Sequence, residues 1–270
     1  MSARTRLPAL LLGLTLAAPV SALPHDCLIE PQAVISLTST EQGRIDEVLV
    51  RRGDRVSAGQ PLIRLEESIQ RLQLEMASAK AGTDVELRAA AARVDFRREA
   101  LARSERLFAK QTVTEASVED KRIELTLSEM ALEEAQVARE LAQIERRMAS
   151  ALLDRRTISS PADGIVLSVE AAPGEYASDT EEMMVLAVMD PLLVEVFVPL
   201  DYFDRIAVGD SYEVAQVAPL DGRFEATVRT VDRVFDAASG TFGVQLEMAN
   251  PGTEIPAGIR CTVDFDQASH

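Results

Sequence analysis

The chain has no tryptophan, and aromatic residues make up only 4% of its 270 residues. One large aromatic core is therefore disfavoured, and the 47% hydrophobic content must come from aliphatic side chains suited to helices and small β modules. Histidine occurs only as His25 and His270, and no HExxH, GxSxG or phosphate-loop pattern is present. The chain thus reads as a non-enzyme with no catalytic, cofactor-binding or metal-binding residues; the adjacent Met183 and Met184 read as core rather than as thioether ligands. Positive charge is scarce, 28 Lys and Arg against 44 Asp and Glu, for a net charge of −16. Nucleic acid and anionic lipid, which need a basic face, are disfavoured as main partners. There are only two cysteines, Cys27 and Cys261. In an exported chain they are either a bridge or two separate buried thiols, since sequence does not fix their separation.

No apolar run reaches the ~20 residues of a membrane span. The longest, Leu7–Val20, follows Arg4 and Arg6 and precedes the small residues Ser21 and Ala22. That pattern is a cleaved secretion signal over 1–22, with an uncleaved anchor as the alternative, and it places the mature chain in the periplasm. Cys27 follows Pro24-His25-Asp26 rather than the small residues of a lipidation site.

What is present begins with an internal repeat. Gly43-RIDEVLVRR-Gly53-Asp54 is echoed by Gly164-IVLSVEAAP-Gly174-Glu175, and Leu62, Ile63 and Leu65 recur in phase as Met183, Met184 and Leu186. Each copy reads as strand, turn, strand, with Ile45, Val48 and Val50 alternating in one and Ile165, Leu167 and Val169 in the other. Neither copy alone buries a sheet face, so the two are expected to pair as one split domain over 33–65 and 157–190.

Between them, 66–156 has no proline, one glycine (Gly82) and the Ala, Leu, Glu, Arg and Gln content of long helix. Heptad spacing predicts an apolar seam between two antiparallel arms. Ile69, Leu72, Met76 and Ala79, then Leu87, Ala90, Val94 and Leu101 after a four-residue stutter, form the first side. Met130, Val137, Leu141, Ile144, Met148 and Ala151 form the second. The arms turn near Lys110–Thr114, with Thr114 as the N-cap of the second. From Pro191 the texture returns to short strands separated by Gly and Asp turns. They are expected to make a β-barrel domain over 191–265.

These segments together resemble the hemolysin-D-like periplasmic adaptors, or membrane fusion proteins, of RND-type efflux pumps. The resemblance rests on GDRVSAGQPLIRLE from Gly53, the helical insertion, TISSPADGIV from Thr157 and NPGTEIPAGIRCTV from Asn250, and covers about residues 33–265. It implies an elongated, multidomain mixed α and β fold: a lipoyl-like β-sandwich split by a long antiparallel α-helical hairpin and followed by an antiparallel β-barrel. It implies ring-like self-assembly as a homo- or hetero-oligomer between an inner-membrane transporter, RND-type foremost, and a TolC-type outer-membrane channel. Arg103, Leu107 and Thr114 match the family's channel-docking tip, with Thr114 where Ser is usual. The segment before the first half-motif runs through the barrel in the family, which implies that 23–32 joins the β-barrel domain and that Cys27 comes near enough to Cys261 for a disulfide. Two features depart from the pattern. The sequence ends nine residues after Cys261, short of the membrane-proximal domain of efflux-class members, which leaves the transporter class open and a second, longer adaptor in the assembly as one option. Gly240 stands where the family often has Arg. A lipoyl or biotinyl carrier is disfavoured, because Lys80, Lys110 and Lys121 all lie in the helical insertion. A structural or regulatory periplasmic coiled-coil bridge without a transport conduit remains the alternative.

Overall fold

A computed structural model describes residues 24–218 and 221–266. The signal-peptide expectation for 1–22 and His270 fall outside these residues. The chain forms two compact units: Val34–Val188, and a second comprising the chain up to Ala33 together with the part from Met189 onward. No helix among the described residues is long and apolar enough to cross a membrane.

The Val34–Val188 unit is built on the repeat. Its first copy supplies β2 (Gly43–Val48), β3 (Arg55–Val56) and β4 (Pro61–Leu65); its second supplies β6 (Gly164–Val169), β7 (Tyr176–Ala177) and the start of β8 (Met184–Pro199). Two further segments flank them, β5 (Thr157–Ser159) and the end of β1 (His25–Leu37). One sheet runs β5-β4-β2-β7 and the other contains β1, β8, β6 and β3 in the corresponding order. Exchanging the copies therefore maps one sheet onto the other, and within the sheets the β2–β7 and β3–β6 pairs join one copy to the other.

The symmetry extends to single hydrogen bonds at a constant offset of 121 residues. Ile45 N–H donates to the Glu175 carbonyl and Gly174 N–H to that of Ile45; Val166 and Gly53 repeat the exchange with Asp54 and Val166. The acidic residue after each glycine caps its turn. Asp54 accepts from Arg51 N–H at 2.8 Å, and Glu175 from Ala172 N–H at 3.0 Å. Gly53 and Gly174 sit at φ of 90° and 93°, the left-handed region that side chains avoid. The core keeps the same offset: Ile45 and Val166, Val56 and Ala177, Leu62 and Met183, Ile63 and Met184, Leu65 and Leu186 are all buried. The second copy's inward residue is thus Val166. Leu167, expected inward, is exposed, because an all-apolar run such as Ile165–Leu167 fits either face of a strand.

The insertion forms α1 (Ser68–Gly82), α2 (Val85–Ala109) and α3 (Glu115–Asp154). In place of a stutter the first arm has a break. Thr83 is extended, and α2 restarts after Asp84. At 40 residues α3 is ~60 Å long. The expected seam holds on α2, where Ala90 and Val94 are buried and Leu87 and Leu101 half-buried, and is corrected on α1 and α3. Among the buried residues of the hairpin are Ala90, Val94 and Ser104 on α2 and Val118, Ala142 and Ala149 on α3. Ile69, Leu72, Met76, Met130, Val137, Leu141 and Met148 are each more than half exposed, and Ile144 is 43% exposed. On α3 small residues, Ala142 and Ala149, are buried in the hairpin, and the long apolar side chains expected in the seam of α1 and α3 point elsewhere.

In the other unit β1, β8, β9 (Ser211–Gln216), β10 (Arg223–Val231), β11 (Thr241–Met248) and β12 (Ile259–Val263) follow the order β1-β12-β9-β10-β11-β8. A β1–β8 pairing closes the ring, which removes exposed edges. Inward Val194, Val196, Val198, Val214, Val228, Phe242, Val244 and Leu246 fill it. Cys27 and Cys261 are register partners on β1 and β12, with Cα atoms 4.8 Å apart and a disulfide between them.

Asn250 ties the end of β11 to neighbouring chain. Its buried amide donates to the Met189 carbonyl at 2.8 Å and that of Ile255 at 3.0 Å, and accepts from Ile255 N–H at 2.9 Å. Asn250→Ala strands those buried backbone groups, so it should cost about 3 kcal/mol. A lowered denaturant midpoint with unchanged slope is the expected readout.

Candidate functional site: the hairpin tip

The tip is made where α2 stops and α3 starts. Leu107's carbonyl accepts from Lys110 N–H at 3.1 Å and Thr112 N–H at 3.0 Å, closing the last turn of α2, and Gln111 takes a positive φ of 59° to reverse the chain. Thr114 is extended, and its hydroxyl accepts from Ser117 N–H at 3.3 Å, which starts α3 with Glu115 in its first turn. Acidic residues suit a helix N-terminus because they face its unpaired N–H groups.

Arg103, Leu107 and Thr114 flank this turn and are all exposed. Leu107 is 37% exposed, and Arg103 makes no ion pair among the described residues. Phe108 was not anticipated: it adds a second large apolar side chain, 44% exposed, seven residues after Leu101 and next to Leu107. Below the tip an ion pair links the arms. Arg97 meets Glu124 at 2.6 Å across the hairpin, and Lys121 meets the same carboxylate at 2.8 Å. The Lys121 hydrogen bond is the main reason that the Glu124 carboxyl is held below its usual range, with Arg97 adding to it. The tip can therefore offer an apolar contact and a free guanidinium on a firm two-helix support. Among the described residues no group of three or more His, Cys, Asp or Glu is placed to hold a metal ion.

Residues 35–188, the split sandwich with its hairpin, match the barrel-sandwich hybrid domain of YknX. The chain belongs to that family. It is 24% identical over 179 residues to the cobalt-zinc-cadmium resistance protein CzcB of Cupriavidus metallidurans, covering 66% of this chain and 34% of CzcB. An uncharacterized protein of Haemophilus influenzae is 23% identical over 218 residues, covering 81% of this chain and 50% of that protein. The chain thus spans half or less of the length of these relatives. In fold it is similar to MacA from Actinobacillus actinomycetemcomitans, with a TM-score of 0.71 and 16% identity over 89% of this chain and 76% of that one. The membrane fusion protein Spr0693 from Streptococcus pneumoniae R6 gives 0.57 and 17% identity over 92% and 99%.

Proposed function

We propose that this protein is a periplasmic adaptor subunit of a tripartite efflux or secretion system, self-assembled into a ring that bridges an inner-membrane transporter, RND-type foremost, and a TolC-type outer-membrane channel. The observation that carries the reading is the hairpin: a long two-helix spoke with an exposed Arg103, Leu107 and Thr114 tip, inserted between the halves of a sandwich of this family. Membership of the family, and the names of CzcB and Spr0693, support the same function.

Ring assembly is supported by the misplaced apolar residues. Val137, Leu141, Ile144 and Met148 lie roughly 200–260° around α3 from Ala142, the side facing the other arm. On α1, Ile69, Leu72 and Met76 lie about 160–220° from the half-buried Leu74. Each arm thus carries an apolar stripe on its outer edge. The two edges differ, and a contact between unlike edges of successive copies is the kind that closes into a ring. Burying a leucine or methionine contributes about 1.5–3 kcal/mol, so replacing Leu141 and Met148 together by Glu should weaken self-association at least about 100-fold. Sedimentation should show a smaller species with an unchanged melting curve. An oligomer of the parental size would count against hairpin-mediated assembly.

A further inference from the structure

The point at which the hairpin is rooted in the sandwich is held by one side chain that docking and assembly do not use. Arg156 follows the C-cap of α3 and is half-buried. Its Nη1 donates to the Gln42 carbonyl in the β1–β2 loop at 2.9 Å. With the Gln70 amide oriented by its hydrogen bonds, that side-chain oxygen on α1 accepts from Arg156 Nε at 3.1 Å and Nη2 at 2.6 Å. The Arg156 carbonyl accepts from Leu65 N–H at 2.8 Å, at the end of β4. One residue therefore touches both arms' roots and the loop that enters β2. The fixed fork of the guanidinium suits this, since its N–H groups point in set directions from a single plane.

Gly43 makes the room. A Cβ there would lie 2.8 Å from Arg156 Nη1, so a side chain at 43 would push the flexible end of Arg156 aside at small cost. The adjacent Arg155 differs in kind: it meets Glu41 at 3.3 Å, but its side chain is 64% exposed, and such a pair contributes little.

We infer that Arg156 is a positioning residue that fixes the angle of the hairpin on the sandwich, through the Gln70 and Gln42 contacts and the space left by Gly43. The inference stands whatever the tip docks on. It has leverage because α3 is long: a rotation of about 10° at the root carries the far end of a ~60 Å helix about 10 Å.

The test is the distance distribution between nitroxides at Glu119, near the tip, and Arg52, in the β2–β3 turn, attached through bio-orthogonal side chains so that the cysteines are untouched. The full mature chain should give one narrow peak. Arg156→Ala and Arg156→Lys should broaden it beyond the parental width, because the tip then samples more than one angle. Gly43→Ala, which only nudges the flexible end of Arg156, should broaden it less, and Arg155→Ala should leave the peak as it was. If Arg156→Ala fails to fold, Arg156→Lys and Gln70→Ala carry the test. An unchanged peak in the folded Arg156→Ala or Gln70→Ala variant overturns the inference. A loss of sandwich melting temperature with no broadening also overturns it, since it leaves Arg156 a purely stabilising role.

Discussion

Leu107→Asp should abolish capture of a TolC-type channel while leaving the melting temperature unchanged. Leu107 is already 37% exposed in the last turn of α2, so the free protein loses little when it becomes charged. In a complex the same position becomes part of a dry contact, and an unpaired carboxylate there costs several kcal/mol, enough to lose binding by a factor of a thousand or more. Arg103→Ala should weaken capture by about 1.5–3 kcal/mol, the value of a hydrogen bond to a charged group. Thr114→Ser should be nearly silent, because it keeps the hydroxyl that caps α3. If Leu107 instead served the hairpin's own packing, Leu107→Asp would lower the melting temperature and Arg103→Ala would leave capture intact. Melting curves beside a channel pull-down separate the two.

The second large effect belongs to the barrel. Serine at both Cys27 and Cys261 should destabilise the folded chain by about 5 kcal/mol, because the bridge closes a loop between residues 234 apart and so restricts the unfolded chain strongly. The bridge also joins β1 and β12, the first and last strands of the ring, which otherwise depend on main-chain pairing. Denaturant unfolding of oxidised and serine-substituted protein measures the difference. Two titratable thiols in unfolded, non-reduced protein prepared from the periplasm would show that the bridge does not form, and the expected loss would vanish with it.

The split sandwich was legible because its determinants are local. Glycines at fixed spacing, an acid after each turn and a repeated apolar phase all sit within short stretches, and the structure turns each into a paired hydrogen bond or a buried pair. The error in the second copy, Leu167 for Val166, arose where consecutive apolar residues make periodicity silent about which face is buried. The hairpin was legible in composition and in its turn, but its seam only on α2, where Ala90 and Val94 are buried and Leu87 and Leu101 half-buried. Large residues at heptad spacing report that a helix face packs against something; they do not name the partner. On α1 and α3 the heptad stripes face outward, and Ala142 and Ala149 are the buried residues of α3 that let the arms approach. The Arg156 contacts could not be read at all, because they join residues 42, 70 and 156, which come together only in the fold. The tip residues came from resemblance, and the structure adds their exposure and the support beneath them.

A photo-crosslinking side chain at Leu107 tests the adaptor reading most directly. In cells of the source organism it should trap an outer-membrane channel, and the same protein should copurify an inner-membrane transporter. Crosslinks confined to other periplasmic proteins, with neither membrane partner recovered, would contradict the adaptor function and leave a coiled-coil bridge without a conduit.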